Sequence, residues 1–173
     1  MITLKVEIDN PITPDFYNNL IANLQFHRLT CTCGHSACLS VHGYYNRSLK
    51  TPEGKATFHI CRVICACCGH THALLLSSFV PYSQISLAEQ AQIITLYESN
   101  DSLDSLMVEN PSVDENNCHY VIRQYLRHWK QKLLSEKIFL SPISQLISNC
   151  FATFFRQFMQ IRCTPNILFV NTT

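Results

Sequence analysis

No run in this 173-residue chain approaches the roughly 20 uncharged apolar residues that cross a bilayer, and residues 1–10 lack the charged-then-apolar layout of an export signal. The expectation is a cytoplasmic protein with no membrane partner. Charge is scarce at 14%, and the formal net charge is only +1. No global basic field therefore announces nucleic acid, and any such contact must be local. Sparse charge also fits a surface partly covered by another chain. Internal repeats and low-complexity tracts are absent. No nucleophile–base pair, phosphate loop or carboxylate dyad stands out, so an enzyme is not expected.

What the chain does have is cysteine. There are ten, and seven lie between Cys31 and Cys68. Cys118, Cys150 and Cys163 are scattered and read as packing residues. In a reducing compartment, clustered cysteines point to metal ligation rather than to disulfides. One cluster is Cys31-Thr32-Cys33-Gly34-His35-Ser36-Ala37-Cys38; the other is Cys65-Ala66-Cys67-Cys68-Gly69-His70. Each contains a cysteine followed directly by glycine. A knuckle needs that, because the chain must turn tightly around a thiolate and glycine takes positive φ at no steric cost. Zinc takes four soft ligands at tetrahedral corners, so two knuckles can share one Zn2+.

Cys65 and Cys68 form a regular C-x-x-C pair. The first cluster is irregular, with Thr30 where a regular pair would place a cysteine. Cys33 is the firmest ligand there, and Cys31 and Cys38 compete for the fourth corner. The C-x-C-x4-C spacing also resembles a three-cysteine zinc loop found after some methyltransferase domains, which implies that all three could bind metal, in a site with a second ion or with Cys68 or Cys65 excluded. The expected metal residues are therefore Cys31, Cys33, Cys38, Cys65 and Cys68. His35, His42, His59, His70 and His72 read as hydrogen-bond partners or surface groups, with His35 and His70 the best substitutes for a cysteine.

The predicted elements give an α+β class: a zinc-ribbon β-hairpin followed by a mostly helical helix-turn-helix half. Ile2, Leu4, Val6 and Ile8 alternate as a half-buried strand. Thr13-Pro14 opens a short helix. Residues 41–50 and 55–64 flank a Pro-Gly turn and read as the hairpin, and Leu74 to Tyr82 as an apolar connector. Ser86 caps a helix to about Glu98. A shorter helix covers 102–108. Ser112-x-x-Glu115 caps a long helix to about Leu134, Ser141-Pro142 opens a last one to about Met159, and Asn166 to Val170 forms a final strand. Four segments follow: 1–28, 29–80, 81–137 and 138–173.

On the long helix, Cys118, Ile122, Tyr125, Trp129 and Leu133 mark an apolar face. Asn116, Asn117, Tyr120, Arg123, Gln124, Arg127 and Lys130 lie on the other. Residues 116–137 hold Arg123, Arg127, Lys130, Lys132 and Lys137 against Glu136 alone. Polar residues at the start of such a helix suit base edges, and basic ones further along suit phosphates, so double-stranded DNA is the expected partner. Acidic residues in the preceding helices (Glu89, Glu98, Asp101, Asp104, Glu109) argue against broad electrostatic wrapping. The last helix carries Ile143, Leu146, Ile147, Cys150, Phe151, Phe154, Phe155 and Phe158, too much apolar surface for a lone surface helix. It is either the central core helix or a homodimer contact, which two half-sites would match.

The stretches His42-Gly43-Tyr44-Tyr45, Arg62-Val63-Ile64-Cys65-Ala66-Cys67-Cys68-Gly69-His70-Thr71-His72-Ala73-Leu74-Leu75 and Val80-Pro81-Tyr82-Ser83 resemble an uncharacterised family of small proteins from Gram-positive bacteria, filed as a domain of unknown function. The layout is also similar to the N-terminal zinc ribbon and helix-turn-helix of insertion-sequence transposases. That resemblance implies DNA binding in a mobile-element setting, as a regulator or accessory factor near the nucleoid. It does not imply catalysis, because no acidic nuclease domain follows. The alternative is a protein-interaction adaptor that uses the ribbon and the aromatic last helix.

Overall fold

Parallel strand pairing places the N-terminus of this α+β chain inside a sheet rather than at its edge. The computed structural model describes residues 1–7, 12–162 and 168–171. Its strands are β1 (Ile2–Lys5), β2 (Leu39–Thr51), β3 (Gly54–Cys65), β4 (Thr71–Leu76) and β5 (Leu168–Asn171). They form one five-stranded sheet in the order β2-β3-β4-β1-β5. β1 pairs in parallel with β4 (Ile2 opposite Leu74, Leu4 opposite Leu76) and with β5 (Ile2 opposite Leu168). Flanked on both sides, Ile2, Thr3 and Leu4 are all buried, so the half-buried strand expected from alternation is a fully buried one. Ile8, Asn10 and Pro11, which bear on its expected end, lie outside the described residues.

The helices are α1 (Pro14–Asn23), α2 (Leu87–Ser99), α3 (Asp104–Glu109), α4 (Glu115–His128), α5 (Lys130–Ser135) and α6 (Ile143–Phe154). The chain divides into two compact units that do not follow sequence order. One comprises Met1–Ser48, Thr57–Ser77 and the C-terminal segment carrying β5; the other comprises Leu49–Ala56, the hairpin tip, with Ser78–Cys163.

In the first unit, α1 begins as its sequence dictates. The Thr13 hydroxyl accepts from the Phe16 N–H at 3.1 Å, and Pro14 occupies the first turn. Tyr17 on its inner face is fully buried. Its hydroxyl donates to the Leu74 carbonyl at 3.0 Å and accepts from the Cys61 N–H at 2.9 Å. The ring meets Phe58 edge-on at 6.3 Å. One phenol thus ties α1 to β3 and β4. Of the residues read as an apolar connector, 74–76 are in fact the second half of strand β4. Leu74, Leu75 and Leu76 are all buried, so this part of the sheet is covered on both faces and no alternation shows.

In the second unit, α2 carries the expected capping box between Ser86 and Glu89. The box expected at Ser112 is displaced by two residues. Asp114 is the cap, its carboxylate accepting from the Asn117 N–H at 2.8 Å while Asn117 Oδ1 accepts from the Asp114 N–H at 3.4 Å. Ser112 instead donates to the Thr51 carbonyl at 2.6 Å. The long helix expected to Leu134 is interrupted at Trp129, whose φ of −124° leaves the helical range between α4 and α5. The buried Trp129 indole there packs edge-on against Phe154 at 5.7 Å and Phe158 at 5.3 Å.

α6 stops at Phe154 rather than near Met159, because Phe155 turns left-handed at φ 55°. Leu146, Ile147, Cys150 and Phe151 are buried, as is Phe158 beyond the helix end. The broad apolar face is largely core, and only Phe155 stands out, 77% exposed. Among the described residues no helix is long and apolar enough to cross a membrane. Of the expected final strand, Asn166 and Ile167 lie outside the described residues, as does Cys163.

Tyr17→Phe tests the buried tie in the first unit. It deletes one hydroxyl and leaves the Cys61 N–H and Leu74 carbonyl short of a partner. A loss of about 1–3 kcal/mol is expected, read from urea unfolding monitored by circular dichroism.

Candidate metal centre

Two short loops bring four sulfurs together. In the first, the Cys31 N–H donates to the His35 carbonyl at 2.8 Å and the Gly34 N–H to the Cys31 carbonyl at 2.8 Å. In the second, the Cys65 N–H donates to the His70 carbonyl at 3.0 Å and the Gly69 N–H to the Cys65 carbonyl at 2.8 Å. Both loops therefore close between their first cysteine and the histidine after the glycine. Gly34 (φ 90°) and Gly69 (φ 71°) occupy left-handed backbone, where a Cβ would be strained. The second loop is also the turn that connects β3 to β4, so the sheet itself aims Cys65 and Cys68. The first is the same device with one residue fewer. Thr30 is outside it, bridged to Ser36, and Cys31 fills the role that a cysteine at position 30 would have had.

Cys31, Cys33, Cys65 and Cys68 Sγ atoms all lie within 4.8 Å of one another. Cys31 is 3.7 Å from Cys68, and Cys33 is 3.7 Å from Cys65. A tetrahedron with metal–sulfur bonds of about 2.3 Å has edges of about 3.8 Å. The donor set and its spacing therefore fit a Zn2+ ion held by one pair from each loop. When bound, such an ion cross-links the loops and keeps its thiolates charged.

The electrostatics agree. Around Cys65, desolvation opposes ionisation, but the Cys68 N–H, the Cys38 thiol and the Cys67 N–H outweigh it and lower the pKa to about 6. For Cys68, the His70 N–H favours the thiolate, yet desolvation and the neighbouring sulfurs push it up to about 12. Cys33 is raised as well: the His35 N–H again favours the thiolate, but desolvation and contact with Cys31 and Cys65 prevail. So at neutral pH Cys65 is the sulfur ready to capture a cation. Cys33 and Cys68 are held towards the thiol, so binding a metal would release protons and affinity would fall as pH falls.

His72 supports the cluster from β4. It is buried, lies opposite Val63 in the β3–β4 register, and places Nε2 3.4 Å from Cys31 Sγ. Its Nδ1 is 3.1 Å from the Met1 amino nitrogen. Burial, then the adjacent amine, lowers its pKa, so the ring is neutral. With Nδ1 accepting from Met1, Nε2–H donates to the Cys31 sulfur. The sequence places His72 among five histidines near the ribbon; strand register singles it out. His35 Nδ1 lies 3.5 Å from Cys33 Sγ at the exposed side.

Cys38 stands outside the four. Its sulfur is 3.3 Å from Cys65 Sγ and 3.1 Å from the His35 carbonyl, and its own carbonyl accepts from the Ala66 N–H at 2.8 Å.

The residues expected to touch DNA are divided by the structure. Asn116, Tyr120, Arg123 and Arg127 are exposed on α4, Gln124 is half-buried, and no hydrogen bond or ion pair engages these five side chains among the described residues. Asn117 is occupied by the cap and accepts from Lys50 Nζ at 2.5 Å. Lys130 is held by both oxygens of Glu98 at 2.9 and 3.2 Å.

Among the described residues, a five-stranded sheet, six α-helices and four convergent cysteines define a mixed α+β protein whose cysteines are positioned to hold a metal ion, compatible with zinc. Residues 24–115 match the family described as Domain of unknown function (DUF6431), and the chain belongs to that family. No curated protein and no solved structure matches it.

Chelating the ion from the fully reduced protein is expected to abolish cooperative unfolding of the metal-bearing unit, because a structural zinc is worth about 10–16 kcal/mol in small domains. His72→Phe keeps the four sulfurs but removes the donor to Cys31. It should weaken zinc about 10–100-fold in competition with a chromogenic chelator.

Proposed function

We propose that this chain is a zinc-stabilised DNA-binding protein, a non-catalytic regulator or transposase-like accessory factor of a mobile element that works in the cytoplasm on the nucleoid. The observation that carries this reading is the outer stripe of α4. Asn116, Tyr120, Arg123 and Arg127 follow each other at intervals of four, three and four residues, which is one face of a helix. All four are exposed, and none is spent on a partner within the described residues.

Two arginines, a tyrosine and an asparagine with no carboxylate among them suit a polyanion. Asn116 near the helix start has the chemistry for a base edge, Arg123 and Arg127 for phosphates or guanine, and Tyr120 for a phosphate oxygen. In this reading α2, α3 and α4 act as a helix-turn-helix unit with α4 in the major groove. The acidic residues of the preceding helices weigh less against it than their number suggests. Glu98 is neutralised by Lys130, and Glu89 is taken up by the Ser86 cap and by Asn110 Nδ2.

A second reading, an adaptor for another protein, rests on β2. This 13-residue strand is at the sheet edge and exposes Val41, Tyr44 and Tyr45. Exposed edges and aromatic residues suit strand addition by a partner.

Gel shifts with random duplex DNA across a salt series separate the two. Wild type is expected to bind with a clear salt dependence. Arg123→Ala with Arg127→Ala should weaken binding and reduce the slope of log affinity against log salt by about 1–2. Unchanged binding in that double variant removes α4 from the reading. Absent binding at low salt, with a stoichiometric protein partner on purification, selects the adaptor.

A further inference from the structure

The four-cysteine site leaves two nearby cysteines unaccounted for. Cys67 sits within the second loop, between Cys65 and Cys68, and is exposed. Cys38 ends the first cluster and is half-buried. The sulfurs of Cys38, Cys65 and Cys67 all lie within 4.8 Å of one another. We propose that Cys38, Cys65 and Cys67 hold a second divalent thiophilic ion, with the Cys65 thiolate bridging it to the four-cysteine site.

Three features of the cluster support a built site rather than a chance proximity. The first is backbone restraint. The Ala66 N–H donates to the Cys38 carbonyl at 2.8 Å, which fastens Cys38 to the loop carrying the other two cysteines. The second is spacing. Cys38 Sγ is 3.3 Å from Cys65 Sγ, within about half an ångström of the edge of a zinc–thiolate tetrahedron. A small outward rotation of the half-exposed Cys38 opens that edge. The third is the donor set. Cysteine thiolates select soft or borderline ions such as zinc over magnesium or calcium.

Charge selects a divalent ion. A Zn2+ ion with four thiolates carries net negative charge. One further divalent ion together with the two additional thiolates cancels, so filling the second group adds no net charge to the cluster. A monovalent ion there would leave the cluster more negative still. With three sulfurs, and with Cys67 facing solvent, the second ion keeps an open position for water or an exogenous donor, which makes it more easily removed than the first.

The site rests on the four-cysteine reading, and metal counting distinguishes the failure of either. The full chain is purified reduced, loaded with excess Zn2+ and desalted, and its metal is measured by mass spectrometry against protein concentration. Two equivalents are expected in wild type. One is expected in the Cys38→Ser, Cys67→Ser double variant, with cooperative unfolding retained. Titration with Co2+ should show two successive rises in thiolate-to-metal absorption, of which the variant keeps one. One equivalent in wild type, or two persisting in the double variant, overturns the second site alone. No equivalents in wild type overturns both sites. Should the double variant fail to fold, the wild-type count and its Co2+ titration decide by themselves.

Discussion

Four cysteine sulfurs from two loops meet at the spacing of a tetrahedral ion, and the metal-bearing unit depends on that meeting. The loops are short and exposed: Cys33, Gly34, His35, Gly69 and His70 all face solvent. Without a cation the sulfurs also conflict. One is drawn towards the thiolate, with Cys65 at about 6, while Cys68 and Cys38 are pushed up to about 12. A divalent ion held there would favour the thiolate form of its ligands. Its binding energy, about 10–16 kcal/mol in small zinc modules, equals or exceeds the whole stability of a typical domain, about 5–15 kcal/mol. An ion bound by these four cysteines would therefore contribute on the scale of the unit's whole stability.

The sheet converts that local cross-link into an ordered unit. The second loop is itself the β3–β4 turn, so closing it sets the register that puts His72 opposite Val63. That register in turn aims the His72 ring at Cys31 in the other loop. Tyr17 reaches β3 and β4 through a single hydroxyl. β1 fills the place beside β4, with Ser77 closing the end of the pair by donating its N–H to the Leu4 carbonyl at 2.8 Å. Apart from the β3–β4 turn, each connection crosses between elements distant in sequence. Loss of a metal bound there would thus be felt along β3, β4, β1 and α1.

Much of this was legible in the sequence, and the exceptions have physical causes. The two knuckles declare themselves by Cys-Gly pairs, the hairpin by its Pro-Gly turn, and α1 and α2 by local caps. Each of these signals is carried by residues within a few positions of one another. β4 was not legible. Leu74-Leu75-Leu76 shows no alternation, since a strand covered on both faces need not have a polar side. The choice between Cys31 and Cys38 was also beyond sequence reasoning, because it turns on a loop one residue shorter than the regular knuckle. The cap of α4 moved from Ser112 to Asp114 because a carboxylate and an asparagine three residues apart make an equally good reciprocal pair. At the break, Trp129 packs on Phe154 and Phe158, contacts between residues distant in sequence that no local pattern encodes.

The internal commitments of the second unit sharpen the case for α4. Seven polar residues on that stretch of sequence have the chemistry to meet DNA. Two of them, Asn117 and Lys130, are used within the unit itself, one in a helix cap and one on Glu98. Lys50, a basic residue of the hairpin, is spent in the same way on Asn117 and Asp114. A cation already paired with a carboxylate gains little by moving to a phosphate, since it must first give up the pair. Asn116, Tyr120, Arg123 and Arg127 make no such sacrifice, and they form a single stripe. The matched family region ends at Glu115, the first residue of α4. The matched region therefore covers both cysteine loops and helices α2 and α3, while the face proposed to read DNA lies beyond it and stands on its own chemistry.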